Sequence, residues 1–380
     1  MVVKGWAAPE VVRAFSRARE LCEQVGNTPE LFPALWGLWN VYYMRGELGA
    51  AYELAEQLLR LAQGAHDPTL LVYAHLALAE ISLSRGELLS ARKHFELAIS
   101  LYERERHRPM IFRYYGQDAG VRCLSVIAGC LWHLGYPDQA LTRIHEAFTL
   151  AQGLSHPQSL AFAHFFWGWV SQCRREARTA QEAAEGQIAL CDEHGLTATL
   201  PFATGQRGWA IAEQGRHEEG IVQIKESLAG IRATGVEVIR PIYLCLLAEA
   251  CMKAGRLEDG LSALTEALAT VDENRIFEPE MHRLKGELLL RQNNSNIAEA
   301  QSCFERAIEI ARKQSAKPLE LRATTILARL LSKQGRRDEA RAMLADIYGW
   351  FTEGFDTADL IDAKALLEEL QARPVLGEQR

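Results

Sequence analysis

Residues 79–98 read Ala79-Glu80-Ile81-Ser82-Leu83-Ser84-Arg85-Gly86-Glu87-Leu88-Leu89-Ser90-Ala91-Arg92-Lys93-His94-Phe95-Glu96-Leu97-Ala98, and the rest of the chain repeats their grammar. Gly86 separates two apolar helical patterns. A small residue stands seven before it (Ala79) and another five after it (Ala91). A large apolar residue follows at nine (Phe95) and a further small one at twelve (Ala98). Two antiparallel helices joined by a tight turn approach closely only where their facing side chains are small. Glycine supplies the left-handed conformation that ends the first helix. The large residue one turn on fills the groove toward the next pair.

Turns of the same kind stand at Arg45-Gly46-Glu47, Leu134-Gly135-Tyr136, Gln214-Gly215-Arg216, Ala254-Gly255-Arg256 and Gln334-Gly335-Arg336. From Gly46 the glycines are spaced 40, 49, 80, 40 and 80. The two double spacings place unmarked turns near Arg175 and Ser295, and the excess of nine places an insertion between Gly86 and Gly135. Five after each turn stand Ala51, Ala91, Ala140, Ala180, Gly220, Gly260, Ala300 and Ala340, all small. Nine after stand Ala55, Phe95, Ile144, Ala184, Ile224, Leu264, Phe304 and Leu344, all apolar. The small residue seven before is kept in Ala128, Gly168, Gly208, Ala248 and Ala328. Trp39 breaks that rule, and Gly286 obeys it only after a two-residue slip.

A forty-residue beat of helix, turn and helix predicts an all-α, right-handed solenoid of about eight antiparallel pairs. Each helix has about seventeen residues, roughly 26 Å. The expected pairs are 30–45 with 48–64, 68–85 with 87–104, 117–134 with 137–153, and 156–173 with 176–194. They continue as 199–214 with 216–233, 237–254 with 256–273, 277–292 with 296–315, and 317–334 with 336–349. Pro9 to Val25 carries Ala14 and Ala18 and reads as a second helix without its partner. Residues 1–29 are therefore expected to be the remnant of a preceding repeat, with about eight residues of its first helix, in a chain that continues upstream. Residues 30–350 form the array, with a loop inserted near 105–116. Residues 351–380 form a terminal capping helix, N-capped by Asp356 or Thr357, and a frayed tail.

Composition bounds the function. Of 380 residues, 48% are hydrophobic and 24% charged, which excludes a disordered chain. The stretch from Leu70 to Leu83 contains His75 and Glu80, so nothing reads as a membrane span. A formal net charge of −7 argues against nucleic acid as a partner. The eight cysteines are scattered without C-x-x-C spacing, as in a reduced, cytoplasmic protein. No P-loop, H-E-x-x-H, EF-hand or G-x-S-x-G sequence occurs, so no catalytic residue, metal site or cofactor is assigned. Cys130 and His133 share a helix face, and a core cysteine beside a rim histidine is the preferred reading over a nucleophilic pair.

The turn glycine, the alanine at five, the apolar residue at nine and the less regular alanine at twelve (Ala98, Ala147, Ala267, Ala307) resemble the tetratricopeptide repeat. The unit here is longer, and the proline that commonly closes it has no fixed place. Three stretches (Tyr115 to Val121, Leu284 to Leu290 and Tyr348 to Thr357) resemble the C-terminal helical-repeat region of large bacterial ATPases of the STAND type. Those ATPases are often described as adenylate/guanylate cyclase-like. That resemblance implies a non-catalytic scaffold or sensor arm in signal transduction, regulating an attached or partner NTPase or cyclase.

By the same resemblance, the first helix of each pair lines a concave face. It carries Trp36, Asn40 and Tyr43, then Tyr73 and Glu80, then Arg122, Trp132 and His133. Phe162, Phe165 and Trp169 follow, then Phe202 and Trp209, then Glu249, Met252 and Lys253. Glu280, Arg283, Arg291, Arg322, Arg329 and Lys333 complete the row. An aromatic groove with a more basic far end suits a protein or peptide partner. The alternative is a small-molecule effector held in an aromatic pocket near Trp132, Trp169 and Trp209. Homo-oligomerisation through the groove stays open. The inserted loop is a second candidate: Arg106, Arg108 and Arg113 suit a phosphate or carboxylate, and Tyr114 and Tyr115 suit a ring. A solvated helix end pinned by its aromatics is the plainer reading of the same residues.

Overall fold

The structure, a computed structural model, describes residues 9–25, 28–110, 116–271, 274–292 and 296–372. After a leading helix α1 (Pro9–Val25), eight antiparallel pairs follow. They are α2 (Thr28–Met44) with α3 (Leu48–Ala65), and α4 (Pro68–Ser84) with α5 (Leu88–Leu101). A short α6 (Arg104–His107) lies in the insertion. Then come α7 (Ala119–Leu134) with α8 (Pro137–Leu154), α9 (Pro157–Cys173) with α10 (Ala177–His194), and α11 (Leu200–Glu213) with α12 (His217–Thr234). The last pairs are α13 (Arg240–Lys253) with α14 (Leu257–Leu268), α15 (Glu278–Gln292) with α16 (Ile297–Gln314), and α17 (Lys317–Lys333) with α18 (Arg337–Tyr348). A final helix, α19 (Ala358–Gln371), covers the end. Among the described residues there is no strand, and no helix is long and apolar enough to cross a membrane.

The small–large grammar is the packing. Ala51, Ala91, Ala140, Ala180, Ala300 and Ala340 are fully buried where the helices of a pair meet. The approach is tightest between α11 and α12, where a Cβ on Gly220 would stand 2.4 Å from the Gly208 carbonyl oxygen. Phe95, Ile144, Ile224, Phe304 and Leu344 are fully buried between pairs, each contributing on the order of 1.5–3 kcal/mol. The turn glycines at 46, 86, 135, 215, 255 and 335 all have positive φ, and Arg175 takes the same conformation at φ +64° in the unmarked turn. The other unmarked turn, at Ser295, lies outside the described residues. Asp67 and Asp118 cap α4 and α7, accepting from Thr69 N–H at 2.8 Å and Val121 N–H at 3.0 Å.

The expected span 256–273 is shortened, since α14 ends at Leu268. The physical reason lies across the molecule. About five pairs after the first turn, the backbone N–H groups of Glu237 and Val238 donate to Met44 O at 2.7 and 3.2 Å. One unit later, those of Arg275 and Ile276 donate to Ser84 O at 2.8 and 3.1 Å. The connections before α13 and α15 therefore leave helical geometry to seal the second coil onto the first. The contact continues: Trp350 and Lys317 lie against Gly135, and Arg322 donates to Cys173 O at 2.7 Å. Glu353 accepts from the N–H groups of Asp138 and Gln139 at the start of α8, a helix terminus that favours a carboxylate. The concave face consequently lines an interior channel between the two coils.

Candidate functional site

The channel has two chambers. The larger, of about 300 Å³, is lined from α7 by Trp132 and His133, from α9 by Trp169, and from α11 by Trp209. The second coil contributes Glu249, Lys253, Glu280, Arg283, Glu287, Arg291, Arg322 and Arg329, and α19 adds Asp359 and Asp362. Arg283 donates to both oxygens of Glu280, at 2.5 and 2.8 Å, and to Glu287 at 2.5 Å. Arg322 donates to Asp359 at 2.7 Å and lies 5.0 Å from the Trp132 ring. Trp209 donates to Glu249 at 2.9 Å, and Lys253 pairs with Glu213.

These pairings set the protonation states. Burial works against the Glu280 charge, but Arg283, Arg322 and Arg175 outweigh it and hold the carboxyl at about 2. Burial drives His133 down to about 4, aided by Arg322, so at neutral pH it is an uncharged ring. The basic far end expected from the sequence is therefore corrected. Asp359 and Asp362 come from α19, outside the repeat pattern, and together with Glu280 and Glu287 they pair most of the arginines. Arg291, which donates to Met252 O at 3.4 Å, and the exposed Arg329 have no carboxylate partner among the described residues.

The smaller chamber, of about 150 Å³, lies toward α2. Trp169 and Phe277 line both chambers, their rings 6.3 Å apart. Its walls are mainly apolar, and at one end Arg122 makes a bidentate pair with Glu80 at 2.6 and 2.7 Å and donates to Asn40 at 3.2 Å. The guanidinium stands 5.9 and 5.5 Å from the Trp36 and Trp39 rings, which stack on one another. Tyr43 stacks on Trp39 and hydrogen-bonds Ser84, and burial beside Glu80 raises its hydroxyl.

Asn40, Tyr43, Glu80, Arg122 and Phe165 line the smaller chamber, Trp132, Trp209 and Glu249 the larger, and Trp169 both. Trp36 and Tyr73 line neither; each is about 1% exposed, packed edge to face. Cys130 donates to Leu88 O and His133 Nδ1 to Gly129 O, so the two are not paired with each other. Arg106 lies 3.6 Å from Asp67, and Arg108 is exposed; neither lines a chamber. Arg113, Tyr114 and Tyr115 lie outside the described residues. Sequence reasoning missed Phe277, Asn274, Arg175, Asp359 and Gln187. Phe277 and Asn274 lie in a connection and Asp359 on the last helix, where the repeat carries no signal, and Arg175 sits at a turn that the repeat locates but does not mark as a site.

Residues 279–349 match the tetratricopeptide-repeat family. An uncharacterised protein of Rhizobium meliloti (strain 1021) is 22% identical over 311 residues, 81% of this chain; the chain spans 29% of that relative's length. Among solved structures, a Rap protein complexed with competence and sporulation factor superposes with a TM-score of 0.61 at 12% identity, over 95% of this chain and 97% of that one. A Signal Transduction ATPase with Numerous Domains protein with a tetratricopeptide repeat sensor, from Pyrococcus horikoshii, matches over 96% of this chain and 55% of its own. Its identity is 16% and its TM-score 0.42.

Proposed function

We propose that this tetratricopeptide-repeat solenoid is a binding and sensing module whose larger chamber captures a peptide, or an extended protein segment, bearing a carboxylate. One observation carries the reading: the chamber combines indole walls with two basic side chains, Arg291 and Arg329, left without acidic partners by the described residues. A ligand carboxylate completes that set, and the indoles of Trp132, Trp169 and Trp209 provide apolar area with fixed geometry. The chamber is built from both coils, so an occupant touches helices far apart in sequence. The similarly folded Rap protein, complexed with competence and sporulation factor, supports capture of a second molecule by such a wall.

Burial raises the thiols of Cys123, Cys130, Cys173 and Cys245, so these four are poor nucleophiles, which favours a binding role for the walls they belong to. Eight unbridged cysteines suit a reducing, cytoplasmic setting. Occupancy would be passed to an attached or partner NTPase or cyclase, as the sequence resemblance of Tyr115 to Val121, Leu284 to Leu290 and Tyr348 to Thr357 suggests. A short-peptide array probed with the wild type and with Arg329→Ala tests the proposal. Retained peptides should be rich in Asp, Glu or a free C-terminal carboxylate, and Arg329→Ala should weaken their binding about tenfold. Retention without acidic enrichment, or unchanged in the variant, defeats it.

A further inference from the structure

We infer that Asp359 and Asp362 of α19 are specificity-determining residues of the larger chamber, setting it for a single carboxylate and closing it to polyanions such as polyphosphates. Carboxylate capture itself rests on the peptide reading; rejection of polyanions does not depend on it. The repeat units alone would make this chamber strongly basic. They contribute six basic side chains to its lining but only three carboxylates, Glu249, Glu280 and Glu287. The other two carboxylates of the lining, Asp359 and Asp362, come from α19, outside the repeat. That helix docks on α17 and α18 through Leu360, Leu366 and Leu370, all buried. The i, i+3 spacing of the two aspartates puts both on one face of α19, and that face meets the chamber.

Both aspartates sit on arginines. Asp359 accepts from Arg322 at 2.7 Å and lies 3.5 Å from Arg175, and Asp362 accepts from Arg175 at 3.1 Å. The Asp359 and Arg322 side chains are only 13% and 16% exposed, so salt screens their charges weakly. Elsewhere on the wall, Lys253 is paired with Glu213, and Arg283 with Glu280 and Glu287. Arg291 and Arg329 are then the basic groups left without an acidic partner among the described residues. Two such groups match one carboxylate. A polyphosphate brings several charges at once, finds too few partners for them, and meets two fixed negative charges on α19. Repulsion of the wrong ligand is a device of specificity distinct from attraction of the right one. Without Asp359 and Asp362, Arg175 and Arg322 would join the unpaired set, and the wall would suit a polyanion.

Titration of the full chain with inorganic tripolyphosphate, followed by the fluorescence of the chamber tryptophans, tests this. The double variant Asp359→Asn/Asp362→Asn should bind it about a hundredfold more tightly than the wild type. Arg322 is not stranded there, since it keeps Glu280 at 3.8 Å and Cys173 O at 2.7 Å. Asp362→Asn alone, at a half-exposed side chain, should gain about tenfold, and it decides if circular dichroism shows the double variant unfolded. Asp362→Glu keeps the charge and should reject tripolyphosphate as the wild type does. Adding Arg175→Ala to the double variant should remove most of the gain. No gain in the Asn variants overturns the inference. So does an equal gain in Asp362→Glu, or a gain that survives Arg175→Ala and so lies outside the chamber. The peptide reading fails separately, on a peptide array without acidic enrichment, and that result leaves the tripolyphosphate outcome standing.

Discussion

Replacing Arg122 by methionine removes one partner of the most deeply buried ion pair and keeps most of the side-chain volume. Glu80 is 2% exposed and its two oxygens accept from Arg122 at 2.6 and 2.7 Å, so the variant strands a carboxylate among Tyr43, Val126 and Phe162. Breaking a pair of this kind costs about 3–5 kcal/mol. The loss of the Asn40 contact adds about 1 kcal/mol. Urea unfolding followed by tryptophan fluorescence reads this locally, since Trp36 and Trp39 lie within 6 Å of the guanidinium. The double variant Glu80→Met/Arg122→Met should return to within about 1–2 kcal/mol of the wild type. A loss below about 1 kcal/mol in the single variant, or no recovery in the double, would refute the view that the pair is desolvated and mutually dependent.

Other outcomes follow from the same coordinates. His133 is held at about 4 against an ordinary 6.5, so the unfolded chain binds the extra proton between those values and stability falls as pH drops through that window. At pH 5 its share is about 2 kcal/mol, and His133→Phe should flatten the stability profile from pH 7 to 5 by that amount; an unchanged slope assigns the acid sensitivity elsewhere. Gly220→Ala should destabilise by about 1–3 kcal/mol, because its Cβ would meet the Gly208 carbonyl oxygen and force α11 from α12. Gly64→Ala, in α3 with open space around its Cβ, should instead stabilise by about 0.5–1 kcal/mol in thermal melts. Equal effects at the two glycines would show that close approach is not what Gly220 serves.

The architecture was legible because close helix packing demands small residues at fixed offsets, and the row from Ala51 to Ala340 meets that demand with only glycine as substitute. Arg175 shows the limit of reading glycine alone: its backbone is left-handed without one, and only the forty-residue count revealed the turn. The concave positions were legible as a row of first-helix residues but not as a surface. Whether they face solvent depends on superhelical pitch, which the connections at Glu237–Val238 and Arg275–Ile276 set by reaching back to Met44 and Ser84. Those contacts join residues nearly two hundred positions apart and leave no periodic trace. For the same reason the charge of the far end was misread: Asp359 and Asp362 belong to α19, which no repeat predicts. Trp36 and Trp209 look alike in sequence and are both nearly fully buried, yet only Trp209 lines a chamber.

The second coil closes over the first, and amide hydrogen exchange reports that seam. The N–H groups of Glu237, Val238, Arg275 and Ile276 lie in connections outside the helices, and their acceptors are Met44 O and Ser84 O on the opposite coil. They should be protected about a hundredfold or more over free-chain exchange, close to the neighbouring helical amides. Exchange at the free-chain rate, while α13 and α15 stay protected, would mean an open spiral and remove both chambers at once.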